Sequence, residues 1–201
     1  MRIGILGSGE VGRSLARGLA RHGHDVRIGT RQERVEDLPV GAPAEVVTGA
    51  DLVFLSVLGT AAVDVVTSLR EPLAGQVVVD TTNPLDFSAG RPELFVGHTD
   101  SLGEQVQRAI PDSFVVKAYN TVGNALMVDP DLPAGPPSMF IGGDDDAAKT
   151  VVSDLLGATG WDVADLGGIE VSRYLEPMCL AWVLYGARYG TWDHAFRLLR
   201  R

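Results

Sequence analysis

The sequence predicts an α/β chain of the Rossmann type: a doubly wound, mostly parallel sheet followed by a C-terminal helical tail. Three observations carry that prediction. Short apolar runs alternate with helical stretches as far as residue 166, the pattern of successive βαβ units. Runs such as Asp51-Leu-Val-Phe-Leu-Ser-Val57 are continuously apolar, as strands covered on both faces require. The first run, Met1-Arg-Ile-Gly-Ile-Leu6, empties into Gly7-Ser8-Gly9-Glu10-Val11-Gly12, which opens an amphipathic stretch through Ala20. Residues 1–166 are therefore expected to form the sheet domain and residues 167–201 a helical packing or dimerisation segment.

The elements follow in order. In the first helix Val11, Leu15 and Leu19 make the inward stripe, Arg13, Arg17 and Arg21 take another face, and Gly23 ends it. Asp25 to Gly29 is the second strand. After the strand at 51–57, Ala61, Ala62, Val65, Val66 and Leu69 supply a helical stripe, and Gln76-Val-Val-Val-Asp80 is the next strand. Residues 86 to 99 carry Gly, Pro and Ser without a period and read as a loop of lid-like length. Ser101-x-x-Glu104 is a capping box for a helix through about Ala109. Ser113 to Ala118 and Ser138 to Gly142 are strands. Asp144 to Asp146 place negative charge at the start of a helix through Leu156, and Trp161 to Leu166 can add an edge strand. In the tail, Met178-Cys-Leu-Ala-Trp182-Val-Leu-Tyr185 is apolar on every helical face, and Pro177 either starts this helix or kinks an earlier turn. Two explanations stay open: burial against both the core and a second subunit, giving a homodimer, or a helix swallowed by its own domain.

Composition narrows the function. The chain has 201 residues, 45% of them hydrophobic and 21% charged, as a globular protein does. A net charge of −9 disfavours nucleic acid and anionic membranes as partners, because both reward a basic face. The single Cys179 lies in an apolar run and is expected to be a small buried hydrophobe. Met1 already belongs to the first strand, so no secretory leader is expected, and no apolar stretch reaches membrane-spanning length. The expected compartment is the cytoplasm.

A G-x-G-x-x-G between a strand and a helix is a dinucleotide site. Gly7 allows the tight turn, Gly9 removes a side chain where pyrophosphate approaches, and Gly12 lets helix and strand pack closely. The first-turn N–H groups then face the phosphates. An NAD site places an acid at the end of the second strand, but here the residues are Gly29-Thr30-Arg31. A hydroxyl and a guanidinium suit a 2′-phosphate, so the expected cofactor is NADP(H). The crevice should be lined by Ser56-Val57-Leu58, Thr82-Asn83-Pro84 and Ala118-Tyr119-Asn120-Thr121. These are small, amide and hydroxyl groups, and none is an evident acid or base. There is no Tyr-x-x-x-Lys pair, no metal-ligand spacing and no Gly-x-Ser-x-Gly elbow. His22, His24, His98 and His194 read as solvent-facing or structural, and no residue is singled out as catalytic. Lys117 is the best proton donor on offer, though a lysine late in a strand is more often paired structurally. Hydride passed directly between two bound rings would need only positioning.

The chain resembles the NADPH-dependent coenzyme F-420 reductase family, the F-420-dependent NADP oxidoreductases, whose dinucleotide domain is also seen in the STEAP metalloreductases. The resemblance covers almost the whole chain. It rests on Ile3-Gly-Ile-Leu-Gly-Ser-Gly-Glu-Val-Gly12, Gly29-Thr-Arg31, Asp80-Thr-Thr-Asn-Pro-Leu85, Val116-Lys-Ala-Tyr-Asn-Thr-Val122 and Leu175-Glu-Pro177. It implies that Ser8, Gly9, Glu10 and Val11 line the pyrophosphate and that Thr30 and Arg31 take the 2′-phosphate. It also implies that Val57, Leu58, Asn83 and Asn120 surround the nicotinamide. The archaeal members carry His where this chain has Asn120 and Pro where it has Gly123, so the deazaflavin side of the pocket is expected to differ. Three functions compete. The first is hydride transfer between NADP(H) and a flavin-like co-substrate, with coenzyme F-420 leading, and it predicts a wide crevice. The second is reduction of a small carbonyl or imine with Lys117 as proton donor, which predicts a closed apolar pocket around that lysine. The third is a non-enzymatic NADP-binding sensor, which predicts tight binding without turnover.

Overall fold

A computed structural model describes residues 1–201. Strand β1 (Arg2–Leu6) leads into helix α1 (Glu10–Arg21), and β2 (Asp25–Gly29) returns parallel to β1. Then come β3 (Val40–Gly41), α2 (Pro43–Thr48), β4 (Leu52–Leu55), α3 (Gly59–Ser68), the one-turn α4 (Arg70–Leu73) and β5 (Val77–Asp80). A ribbon of β6 (Leu85–Asp86) and β7 (Glu93–Leu94) precedes α5 (Leu102–Ala109) and β8 (Phe114–Lys117). The chain continues through β9 (Ser138–Ile141), α6 (Asp146–Ala158), β10 (Asp162–Asp165) and α7 (Ser172–Tyr189). Six strands form a parallel sheet in the order β3-β2-β1-β4-β5-β8. The parallel pair β9 and β10 adjoins it through one antiparallel bridge, in which Lys117 N–H donates to the Gly142 carbonyl at 2.8 Å and Gly142 N–H donates back at 3.2 Å. The strand order reverses between β1 and β4, so a crevice opens there at the carboxyl ends.

Alternation along the strands explains the two layers. Ile3, Ile5, Phe54, Val79 and Val116 face one side, where Leu15 and Leu19 of α1 and Val152 and Leu156 of α6 cover them. Leu6, Val53, Leu55, Val78 and Val115 face the other, under Ala62 and Val66 of α3 and Leu102 and Val106 of α5. Both faces are therefore dry, which is why these strands are apolar without a break.

Most local signals are realised. Ser101 caps α5: its hydroxyl accepts from Glu104 N–H at 3.2 Å and donates to the Glu104 carboxylate at 2.7 Å. Asp145 caps α6, accepting from Ala148 N–H at 2.7 Å, and that helix runs two residues past Leu156. The α1 stripe is realised, with Leu15 and Leu19 buried and the half-buried Val11 packed against the same core, and the buried face also takes in Gly12, Ala16 and Gly18, where a Cβ would lie 2.5 Å from Val128. Three expectations need correction. Residues 86 to 99 hold the β6–β7 ribbon rather than loop alone, pairing Leu85 with Leu94 and Asp86 with Glu93. Pro177 does not start the tail helix, since α7 begins at Ser172 and the proline lies inside it. Nor does the chain swallow α7: Leu175, Glu176, Cys179, Trp182 and Gly186 face the core, while Tyr174, Leu184, Tyr185 and Tyr189 are exposed.

After Gly190 the chain runs extended back to the sheet edge, where Ser138 N–H donates to the Phe196 carbonyl at 2.9 Å. Trp182 indole N–H donates to the His194 carbonyl at 2.9 Å, and the His194 ring stacks on Trp182. That histidine is structural, and His22 pairs with Asp129 at 2.7 Å. Burial raises the Cys179 thiol to about 12, in keeping with a small core residue. No helix is long and apolar enough to cross a membrane.

Candidate active site

The glycine loop is shaped as its sequence requires. Gly7 takes φ +120°, and a Cβ there would meet the Ser56 carbonyl at 2.2 Å. A Cβ on Gly12 would sit 2.1 Å from the Gly7 carbonyl. Around Gly9 a Cβ would meet nothing within 4 Å, so the loop keeps open space beside its backbone. Gly9 is also the N-cap of α1 and has no side-chain cap, which leaves the first-turn N–H groups free for an anion. Glu10 is exposed and paired with Arg13 at 2.6 Å, and Val11 is half-buried beside it.

A cleft of about 370 Å³ gathers Gly7, Ser8, Thr30, Arg31 and Val57, with Pro43 and Asp64 also on its walls. The Thr30 hydroxyl reaches the Ser8 hydroxyl at 3.5 Å and accepts from Gln32 N–H at 3.2 Å. Arg31 is exposed and forms no ion pair. The acids that follow are drawn away: Glu36 pairs with Arg13 at 3.6 Å and with Arg17, and Asp37 pairs with Arg17 at 3.4 Å. The loop past β2 thus keeps the Arg31 guanidinium unpaired at the cleft while α1 holds Glu36 and Asp37.

Beyond β4 and β5 the crevice is narrower in chemistry. Leu58 is 77% exposed at the start of α3, and α3 lies so close to the neighbouring loop that a Cβ at Gly59 would be 2.0 Å from the Asn83 carbonyl. Ser56 is buried, taking a bond from the Thr81 hydroxyl at 3.3 Å. Asn83 donates to the Asn120 carbonyl at 2.8 Å, and Asn120 Nδ2 donates to Asn83 Oδ1 at 3.2 Å and to the Leu175 carbonyl at 2.8 Å. Asn120 is only 2% exposed, and its Oδ1 is buried without a partner. Of the expected lining residues only Val57, Leu58 and Asn83 keep exposed surface: Ala118 and Tyr119 belong to the core, and Ser56, Thr82, Pro84, Asn120 and Thr121 are buried. At Ala118 and Tyr119 the cause is the turn, where Tyr119 takes φ 60° and sends its ring into the core against Phe54 and Trp161.

Lys117 corrects the proton-donor expectation. It is 0% exposed, its ammonium 3.0 Å from Asp80, 2.8 Å from Glu176 and 2.7 Å from the Thr82 carbonyl, so no substrate reaches it. Burial alone would lower its pKa, but the Asp80 and Glu176 charges reverse that and hold it raised. Asp80 also accepts from the Thr82 hydroxyl at 2.7 Å and from Thr82 N–H at 2.9 Å, which fixes the loop that carries Asn83. Glu176 in turn accepts from the N–H groups of Leu102 at 3.0 Å and Gly103 at 2.9 Å, and Arg173, one turn earlier, clamps Glu104 at 2.8 Å. The Arg173 bond holds the Glu104 carboxyl below its ordinary range. Asp80 and Glu176 had no assigned role in the sequence, although a lone Glu in an apolar helix and a lone Lys in an apolar strand are the natural signal of a buried pair.

Residues 2–84 match the family described as NADP oxidoreductase, coenzyme F-420-dependent. The F-420-dependent NADP reductase of Methanothermobacter marburgensis is 30% identical over 199 residues, which cover 88% of each chain. The chain belongs to the F-420-dependent NADP reductase family. A solved structure of a candidate member of this reductase family, from Arthrobacter sp. FB24, is 41% identical over the full length of both chains with a TM-score of 0.92. Metalloreductase STEAP3 of Rattus norvegicus is 31% identical over 186 residues, 89% of this chain and 36% of that protein's length, so the chain spans about a third of that relative. Within the reductase family's matched segment lie the glycine loop, Thr30, Arg31 and Asn83.

Proposed function

We propose that this chain transfers hydride between NADP(H) and a flavin-like ring, with the deazaflavin coenzyme F-420 as the leading acceptor. The observation that carries the reading is the sealed Lys117: the crevice offers small, amide and apolar groups and no free proton donor. The residues present fit a dinucleotide: Gly7, Ser8, Thr30 and an unpaired Arg31 share one cleft, and Gly9, the residue after Ser8, has open space beside it and leaves the helix terminus uncapped. Ser8, Gly9, Glu10 and Val11 would line the pyrophosphate between the turns made by Gly7 and Gly12. Thr30 and Arg31 would hold the 2′-phosphate, and Val57, Leu58, Asn83 and Asn120 the nicotinamide side. When bound, the dihydronicotinamide supplies the hydride, and the acceptor ring takes its remaining proton from water. The chain's own part is positioning. Leu58 offers an exposed apolar platform to a planar ring, and the mutual bonds of Asn83 and Asn120 keep that wall rigid.

An anaerobic assay of NADPH oxidation against F-420, FMN, FAD and ferric chelates tests the acceptor. F-420 is expected to be reduced fastest. Faster turnover with a flavin or chelate would replace it, and tight NADPH binding with no turnover would favour the sensor reading.

Arg31→Ala is expected to weaken NADPH by roughly 2 kcal/mol, about thirtyfold, the scale of charge-assisted bonds to phosphate. NADH should be nearly unaffected. Titration of both cofactors checks this, and equal losses would remove Arg31 from the 2′-phosphate.

Residues 167–201 are proposed as a dimerisation segment of a cytoplasmic homodimer, a compartment that the lone thiol suits. Tyr174, Leu184, Tyr185 and Tyr189 on α7 stay exposed although Tyr185 packs on His194 and Tyr189, and an apolar face of this kind favours a partner. Light scattering at micromolar concentration is expected to give the mass of two chains, and a single-chain mass would refute it.

A further inference from the structure

Glu176 is 1% exposed on an otherwise apolar stretch of α7, yet it joins four elements. Its carboxylate meets Lys117 of β8 at 2.8 Å and accepts the Leu102 and Gly103 N–H groups at 3.0 and 2.9 Å. Those N–H groups open α5, where Ser101 satisfies only the N–H of Glu104, so Glu176 completes the cap and sits at the positive end of that helix. Through Lys117 it also reaches Asp80 of β5.

Both crevice asparagines hang from this junction. Lys117 donates to the Thr82 carbonyl, one residue before Asn83. The Leu175 carbonyl, one residue before Glu176, accepts from Asn120 Nδ2 at 2.8 Å. Asn83 and Asn120 then bond each other. Glu176 itself touches no part of the crevice surface.

We infer that Glu176 is a positioning residue that couples the docking of α7 to the nicotinamide end of the cofactor site. With the carboxylate in place, Lys117 holds the Thr82 carbonyl and the Leu175 carbonyl holds the Asn120 amide, so the asparagine pair keeps one geometry. Loss of that charge loosens the pair while leaving the glycine loop and Arg31, on the other side of β1, as they were. The inference rests on the cofactor reading above.

The test compares Glu176→Gln with the wild type at a temperature where circular dichroism shows both folded. Two ligands are used: NADPH, and 2′-phospho-ADP-ribose, which has the same phosphates but no nicotinamide. The fragment is expected to bind the two proteins within about twofold. The fluorescence enhancement of bound NADPH should fall, and turnover with the best acceptor should drop about tenfold or more with little change in its KM. Parallel weakening of both ligands, or unchanged fluorescence and turnover, overturns the inference. Hydrogen exchange on the wild type supplies a readout independent of the variant's folding. NADPH should slow exchange at the Leu102 and Gly103 amides more than the fragment does, because coupling between sites is reciprocal. Equal slowing overturns it. A wild type that binds neither ligand would instead refute the cofactor reading.

Discussion

Lys117→Met is expected to cost roughly 3–5 kcal/mol of folding stability, the range for removing one partner of a buried ion pair. For a chain of this size that lowers Tm by on the order of 10 °C. The loss does not come from packing, since methionine fills similar space. It comes from Asp80 and Glu176, which would remain buried with no cation between them. Removing all three charges, by Lys117→Met with Asp80→Asn and Glu176→Gln, should recover part of the loss because no uncompensated charge remains. Thermal melts of the two variants decide it. A single variant as stable as wild type would mean the carboxylates reach water, and a triple variant worse than the single would mean that shape outweighs charge at this junction. The pH dependence has a definite sign. The folded pKa of Lys117 is raised, so its contribution is complete below the unfolded value of about 10.4 and fades as pH rises through the folded value. Chemical denaturation should therefore show wild type losing its advantage over the variant as the pH rises through that alkaline range.

Gly9→Ala is expected to abolish useful cofactor binding, weakening NADPH on the order of a hundredfold, about 2.7 kcal/mol, while leaving the melt unchanged. Gly9 has φ −74° and ψ −176°, which any residue adopts, and an added Cβ meets no protein atom within 4 Å. The methyl group would instead occupy the space the pyrophosphate needs, over the free N–H groups of α1. Gly12→Ala is the control with the opposite structural outcome, because its Cβ would lie 2.1 Å from the Gly7 carbonyl and must disturb the loop itself. Calorimetric titration with NADPH, paired with thermal melts, separates the two. Tight binding by Gly9→Ala would mean that the loop does not hold phosphate.

The parts of the molecule legible in advance are those governed by neighbours in the chain. Gly7, Gly9 and Gly12 announce a turn because the steric demand on each falls within a few residues. The box at Ser101 and Glu104 forms because both partners lie in one turn. The continuous apolar runs gave the two-sided sheet, since burial on both faces leaves no polar position in a strand. Less legible was the direction each crevice residue faces. Ala118 follows a strand end, as Leu58 nearly does, yet one is in the core and the other 77% exposed, a difference set by the positive φ at Tyr119 and by where α3 begins. The ribbon in residues 86 to 99 escaped notice because two pairs of residues carry no period.

By itself, the sequence determined the layered α/β architecture, the phosphate-facing loop and the absence of an acid at the end of β2, since each depends on local sterics, periodicity or residue type. Only the tertiary structure decided what the charges do. Glu36 and Asp37 turn back to α1 to meet Arg13 and Arg17, which leaves Arg31 unpaired at the cleft. Lys117 meets Asp80, 37 residues away, and Glu176 across the chain from α7, so the one lysine near the crevice is spent on structure. The physical reason is that a charge removed from water must find a counter-charge wherever the fold places one, and sequence separation puts no constraint on which partner that is.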